Sequence, residues 1–125
     1  MDTSLQVNFH DLGVSEALVK DLAMAGLSSP TPIQTQAIPL ALAGRDVIGC
    51  AQTGTGKTAA FVVPIIERLA QLPKTEPQVL ILAPTRELAV QILNTIETLG
   101  RRRGIFATVL VGGADMPGLT VQSLR

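Results

Sequence analysis

The stretch that decides the fold is Ala51-Gln52-Thr53-Gly54-Thr55-Gly56-Lys57-Thr58. It follows a short apolar run at residues 46–50 and precedes a segment, residues 57–72, whose pattern predicts a helix with a kink at Pro64. Glycines let backbone N–H groups approach an anion without a Cβ in the way. The helix that begins at Lys57 points the positive end of its dipole at the same place. The stretch therefore predicts a strand, an anion-binding turn and a helix.

The same stretch resembles the P-loop, or Walker A motif, with Ala51 where the general pattern has its first glycine. This resemblance implies that Lys57 contacts the β- and γ-phosphates of a nucleotide and that the Thr58 hydroxyl is a ligand of the nucleotide's Mg²⁺. Lys57 and Thr58 are therefore the predicted catalytic residues. A plain glycine-rich turn is the weaker interpretation, because an unpaired lysine at a helix start opposes the dipole. The predicted nucleotide-binding residues of the loop are Ala51, Gln52, Thr53, Gly54, Thr55, Gly56, Lys57 and Thr58.

Two further apolar runs follow the loop, at residues 78–82 and 105–111, and a helical pattern at residues 85–99 lies between them. From residue 46 the predicted order is strand, helix, strand, helix, strand. Strands that are apolar on both faces and linked by helices are typical of a parallel sheet covered on both sides. We therefore predict an α/β fold with a βαβαβ core over residues 46–125, and ligand sites beyond the carboxyl ends of its strands.

Two helices are predicted ahead of this core, within a segment that spans residues 9–44. Ser15 can cap the first, over residues 16–25, which ends at Gly26. Thr31 and Gln34, three residues apart, form a capping box for the second, with a proline in its first turn. That helix is expected to run to about residue 43 and to bend or break near Pro39.

The composition excludes several classes of protein. Hydrophobic residues make up 46% of the 125 residues, which excludes disorder, and aromatic residues only 2%, which argues against an aromatic RNA-stacking platform. The single cysteine, Cys50, excludes an internal disulfide and a cysteine-based zinc site, and we expect it to be a small buried residue at a strand end. The formal net charge is zero, so any anion-binding surface is local. With no signal or membrane segment visible, we expect a soluble, cytoplasmic chain.

Three motifs around the loop carry a more specific resemblance. Residues 26–34 read Gly-Leu-Ser-Ser-Pro-Thr-Pro-Ile-Gln, with Phe9 lying 17 residues before Gly26, and resemble the Q motif of DEAD-box RNA helicases. Residues 84–89, Pro-Thr-Arg-Glu-Leu-Ala, resemble motif Ia of that family, and Gly112-Gly113 resembles its GG element. Leu27 departs from the family, which usually has Phe or Tyr there. The chain thus resembles the N-terminal part of the first RecA-like lobe of an ATP-dependent RNA helicase.

The resemblance implies roles for individual residues. Gln34 would hydrogen-bond the adenine of ATP, because an amide can donate to N7 and accept from the N6 amine, and Phe9 would pack near the base. The implied cofactors are ATP and Mg²⁺, and the implied partner is the sugar–phosphate backbone of single-stranded RNA. The implied RNA-binding residues are Pro84, Thr85, Arg86, Gly112 and Gly113.

The basic residues also have purely structural interpretations, as parts of helix ends. Thr85 can be a helix cap whose neighbour Glu87 offsets the dipole, although Arg86 in the first turn favours an anion partner. Arginines at 101–103 are expected to be a solvated helix end rather than an RNA patch, and no chemistry is assigned to His10.

The chain contains no Asp-Glu-Ala-Asp or Ser-Ala-Thr sequence and no second lobe. We therefore expect an incomplete lobe with no meaningful ATPase or unwinding activity of its own, and a parent protein that couples ATP binding and hydrolysis to RNA binding and local unwinding. Two alternatives remain open: another P-loop NTPase, such as a DNA translocase or nucleotide kinase, and a non-catalytic nucleotide-binding module. An exposed sheet edge also predicts self-association.

Overall fold

The computed structural model describes residues 7–52, 54, 56–73 and 76–111. Within these ranges the regular elements are all helices, with short 3₁₀ turns before the first α-helix and after the last. The elements are a 3₁₀ turn at Phe9–Leu12, α1 at Glu16–Met24, α2 at Pro32–Leu42, α3 at Lys57–Leu69, α4 at Arg86–Gly100 and a 3₁₀ turn at Arg101–Arg103.

The predicted helix starts are confirmed, and three of the four depend on a local side-chain cap. The Ser15 hydroxyl accepts from the backbone N–H of Leu18 at 3.4 Å, and both bonds of the Thr31–Gln34 capping box are present. The predicted kinks did not become breaks, since α2 continues through Pro39 and α3 through Pro64. A proline removes only one bond of the helical ladder, and buried neighbours hold the rest of the turn in place.

The predicted sheet is not confirmed by the described residues. Residues 46–50, 78–82 and 105–111 carry neither helix nor strand, and none of the described backbone hydrogen bonds joins one of these segments to another. A strand exists only as one side of a hydrogen-bonded ladder, and an apolar run does not say where its partner lies. The prediction for Cys50 is wrong, because this residue is exposed at the end of the first segment.

The second and third segments nevertheless alternate in burial. Ile81 and Ala83 pack against the core while Leu80 and Leu82 are more than four-fifths exposed. Ile105 is buried, whereas Phe106 is 79% exposed. A period of two is typical of strands. One side of these segments is therefore covered by helices. The other side is exposed to solvent and is called the bare side below.

One apolar cluster joins the N-terminal segment to the helices that follow the loop. Its members come from the first 3₁₀ turn, from the four α-helices and from residues 14 and 105, so residues before and after the loop share a single core. No helix in the described part of the chain is long and apolar enough to cross a membrane. The cluster contains Phe9, Leu12, Val14, Leu18, Leu22, Ile38, Ala59, Val62, Val63, Ile66, Ile92, Ile96, Leu99 and Ile105.

Candidate nucleotide-binding site

The N-terminus of α3 is the only α-helix start in the described ranges that lacks a side-chain cap. Ser15, Thr31 and Thr85 cap the other three, whereas α3 begins at Gly56, which has a φ of +85° and no side chain. The first N–H groups of a helix have no acceptor within the helix. At α3 they remain available to an outside anion, which is the requirement for a phosphate site.

Lys57 and Thr58 form the first turn of this helix. The Lys57 side chain is exposed, and Thr58 is half-buried. Gly54 also has a φ of +85°, a conformation that side-chain-bearing residues rarely adopt. Thr53 and Thr55 lie outside the described residues. The described part of the loop thus combines uncapped N–H groups, a free cationic side chain and a hydroxyl at one helix end, and these groups fit a nucleotide phosphate.

Gln34 reaches across to this helix start. Its side chain is 1% exposed, its Nε2 donates to the Gly56 carbonyl at 3.0 Å, and its Oε1 accepts from the backbone N–H of Thr31 at 2.9 Å. The two residues are 22 positions apart in sequence. The structure therefore joins the predicted Q motif to the phosphate loop by a direct hydrogen bond.

Gly56 fits closely beneath this amide. A Cβ added to Gly56 would collide with Nε2 of Gln34, and it would lie 3.1 Å from two side-chain atoms of Thr31. By contrast, a Cβ at Gly54 would meet nothing within 4 Å. Glycine is required at position 56 by its neighbours as well as by its backbone angle.

The Gln34 amide keeps capacity for a base. An amide oxygen has two lone pairs and an amide nitrogen two protons, and the capping box and Gly56 use one of each. One acceptor site and one donor remain, which is the pair that the adenine edge requires. Capping and adenine contact are therefore compatible, but the burial of Gln34 means that its surroundings must open to admit a base.

Phe9 lies in the apolar core and is 1% exposed. Its 3₁₀ turn is held by a capping box between Asn8 and Asp11, which the sequence analysis missed although the two residues show the usual spacing of three. The role of Phe9 beside a base stays a prediction.

Three of the five predicted RNA-binding residues lie at the start of α4. The Thr85 hydroxyl accepts from the Leu88 N–H at 3.1 Å, so the capping interpretation is confirmed, while the Arg86 side chain is exposed. Pro84, Thr85 and Arg86 border a cleft of about 890 Å³ that also reaches Val111. Gly112 and Gly113 lie outside the described residues.

The basic run after α4 is only partly the solvated end that we predicted. Arg101 and Arg102 are exposed, but Arg103 is largely buried and its Nη1 donates to Asp21 Oδ2 at 2.8 Å. The prediction is wrong for Arg103, because a buried carboxylate on α1 lies opposite it. No pattern in the sequence signals this pair, whose members are 82 residues apart.

No group of three or more His, Cys, Asp or Glu side chains in the described ranges could hold a metal ion.

Comparison with known proteins agrees with this geometry. The family model for DEAD/DEAH box helicases matches residues 31–123 of the chain. The ATP-dependent rRNA helicase rrp3 of Emericella nidulans is 53% identical over 109 residues, which are 87% of this chain and 23% of that protein. The corresponding helicase of Pyricularia oryzae is 54% identical over 110 residues, 87% of this chain and 20% of the relative.

Solved structures show the same likeness. The RNA helicase Prp28 of Chaetomium thermophilum, bound to ADP, matches with a TM-score of 0.83 and 34% identity, over 99% of this chain and 31% of that one. A DEAD box protein of Methanococcus jannaschii matches with a TM-score of 0.78 and 31% identity, over 94% and 32%. The fold is thus that of the corresponding part of DEAD-box helicases. The chain belongs to the DEAD/DEAH box helicase family and spans about a quarter of the length of the curated relatives that it matches.

Proposed function

We propose that the chain is the ATP-binding part of an RNA helicase that couples ATP binding and hydrolysis to RNA binding and local duplex unwinding. The observation that carries the proposal is the hydrogen bond from Gln34 to Gly56, because it joins a base-reading amide to an uncapped, phosphate-binding helix start. Family membership supports the reaction class, and the names of the relatives support RNA as the partner.

Each group at the loop has a chemical task in this proposal. The α3 N–H groups and Lys57 would hold the phosphates, and the Thr58 hydroxyl would be a ligand of a Mg²⁺ ion bound with them. When bound, Mg²⁺ neutralises phosphate charge. Gln34 selects adenine by its remaining donor and acceptor. The chain contains no Asp-Glu-Ala-Asp carboxylates, so we expect it to bind ATP without hydrolysing it by itself.

We also propose that residues 46–50, 78–82 and 105–111 are strands of a parallel RecA-like sheet in the complete protein. The alternation of buried and exposed residues along the second and third segments supports this assignment. Their bare side would then be covered by further elements of the lobe.

Titration of the chain with ATP, ADP and GTP tests the proposed function. We expect ATP and ADP to bind and GTP to bind much more weakly. Equal binding of ATP and GTP would favour a P-loop NTPase of another kind, and no binding of any nucleotide would contradict the proposal.

Replacing Gln34→Ala is expected to remove the preference for adenine. Loss of two hydrogen bonds to the base edge corresponds to about 2 kcal/mol, or roughly 30-fold in relative affinity for ATP over GTP. The measurement is calorimetric titration with both nucleotides. Gln36→Ala is the matched control, because Gln36 is an exposed glutamine on the same helix. An unchanged preference in the Gln34 variant would leave Gln34 as a cap alone.

Replacing Arg86→Ala is expected to weaken single-stranded RNA binding of the complete protein about equally for all sequences. A lost phosphate contact lowers the slope of log affinity against log salt by about 1. Binding measured by fluorescence anisotropy at several salt concentrations checks this. Arg101→Ala tests the exposed arginine at the other end of α4, where we expect no change. If Arg101→Ala weakened RNA binding and Arg86→Ala did not, the RNA contact would lie in the basic run at residues 101–103.

We further propose that isolated copies of the chain associate through the bare side of residues 78–82 and 105–111. Leu82 and Phe106 are 85% and 79% exposed there. Sedimentation velocity over a range of concentrations should show dimers or larger species, and Phe106→Lys should reduce them. The control Met24→Lys changes an apolar residue on α1 that is 71% exposed. A concentration-independent monomer would refute this association.

A further inference from the structure

The N-terminal end of helix α1 is hydrogen-bonded to the C-terminal end of α3. Ser15, the cap of α1, donates from its backbone N–H to Glu67 Oε2 at 3.0 Å and from its hydroxyl to Glu67 Oε1 at 2.8 Å. Glu67 lies in the last turn of α3, at the far end from Lys57. Both carboxylate oxygens of Glu67 are therefore engaged by one residue of the N-terminal segment.

Helix α1 is bonded to the end of α4 as well. The Asp21 carboxylate, 8% exposed, accepts from Arg103 at 2.8 Å and lies 3.5 Å from Nη1 of Arg102. Arg103 also donates to the Leu99 carbonyl, which fixes the guanidinium to the last turn of α4. Charge-assisted bonds at low exposure are stronger than surface ion pairs and hold their geometry better.

Between these two polar contacts, α1 packs against the core through apolar side chains. Leu18 and Leu22 are fully buried in the cluster that contains Ile66 of α3 and Leu99 of α4. Helix α1 thus connects the C-terminal ends of α3 and α4. The opposite ends of those helices carry the phosphate-loop lysine and the candidate RNA contacts at residues 84–86.

We propose that Asp21 is a positioning residue that sets the angle between α3 and α4, and with it the distance between the nucleotide and RNA sites. Each helix is about 20 Å long at a rise of about 1.5 Å per residue, so a tilt of about 10° displaces its free end by roughly 3 Å. A displacement of that size is large for groups that must contact two ligands at once. The expected effect on coupling between ATP and RNA rests on the proposed function, whereas the positioning of α3 and α4 by Asp21 does not.

The test replaces Asp21→Asn in the full-length protein and measures the coupling between ATP and RNA. The coupling factor is the ratio of the RNA Kd without and with a non-hydrolysable ATP analogue. We expect it to fall by about fivefold or more, while the separate Kd values for ATP and for RNA change less than about twofold. Glu16→Gln, an exposed carboxylate on the same helix, should leave the factor unchanged. The charge exchange Asp21→Arg with Arg103→Asp should restore it in part.

Two outcomes overturn the proposal: an unchanged coupling factor in Asp21→Asn, or a proportional weakening of both separate affinities, which would indicate a merely structural pair. If the unmodified protein shows no coupling at all, the proposed function fails, and hydrogen exchange decides the positioning role. Asp21→Asn should then still speed exchange at the first hydrogen-bonded amides of the two helices, residues 60–63 and 88–91, relative to Glu16→Gln. Unchanged exchange at both helix starts would refute it. Should Asp21→Asn not fold, Arg103→Lys, which keeps the charge, is measured instead with the same expectations.

Discussion

Lys57→Ala is expected to weaken nucleotide binding by about two orders of magnitude while leaving the fold intact. Removing a charged donor from the phosphates costs about 3 kcal/mol, or roughly 100-fold in affinity. Calorimetric titration with ATP measures this loss. Lys20→Ala, which changes an exposed lysine on α1, is the matched control and should bind like the unmodified chain.

Stability separates this result from simple misfolding. Lys57 lies in the first turn of α3, where a positive charge opposes the helix dipole. Its removal should therefore leave the free energy of unfolding unchanged or raise it by about 0.3–1 kcal/mol. Retention of micromolar ATP affinity by the variant would refute the phosphate-contact role of Lys57.

Gly56→Ala is expected to be the most destabilising single change at the loop. The φ of +85° costs a residue with a Cβ about 1–2 kcal/mol. The new Cβ would also displace the Gln34 amide from its bond to the Gly56 carbonyl, which adds about 1–3 kcal/mol. We therefore expect a loss of about 2–5 kcal/mol in urea unfolding, together with weak ATP binding.

Gly26→Ala isolates the contribution of the backbone angle. Gly26 has the same φ of +85°, but a Cβ there would meet nothing within 4 Å. The excess destabilisation of Gly56→Ala over Gly26→Ala then measures the contacts of the new Cβ with Gln34 and Thr31. Adding Gln34→Ala to Gly56→Ala should relieve the part that is due to Gln34. Equal destabilisation at positions 56 and 26 would show that Gln34 does not press on the loop.

Local chemistry was the predictable part of this molecule. Ser15, Thr31 and Thr85 cap helices through bonds to residues three positions away, so the sequence contains both partners within one turn. The start of α3 at Lys57 was equally predictable, because the glycines before it specify the turn. These elements place the phosphate loop without any knowledge of tertiary contacts.

Contacts between distant residues were not predictable. The Gln34–Gly56 bond joins positions 22 apart and the Asp21–Arg103 pair positions 82 apart, and neither leaves a periodic signal. The strand prediction stays unconfirmed in the described residues for the same reason, since ladder pairing is a property of two segments and not of one. Leu82 and Phe106 show that an apolar side chain in a strand-like run need not be covered.

Salt should act in opposite directions on the two proposed interactions of this chain. It should not weaken self-association through the bare apolar side of residues 78–82 and 105–111, whereas it should weaken RNA binding. Copies of a chain with zero formal net charge have little repulsion for added ions to screen, and excluded salts such as sulfate strengthen apolar contacts. Contacts to an RNA backbone weaken steeply as salt rises, because bound counterions are no longer released favourably. Ionic strength should therefore separate nucleic-acid binding from aggregation in any preparation of this chain.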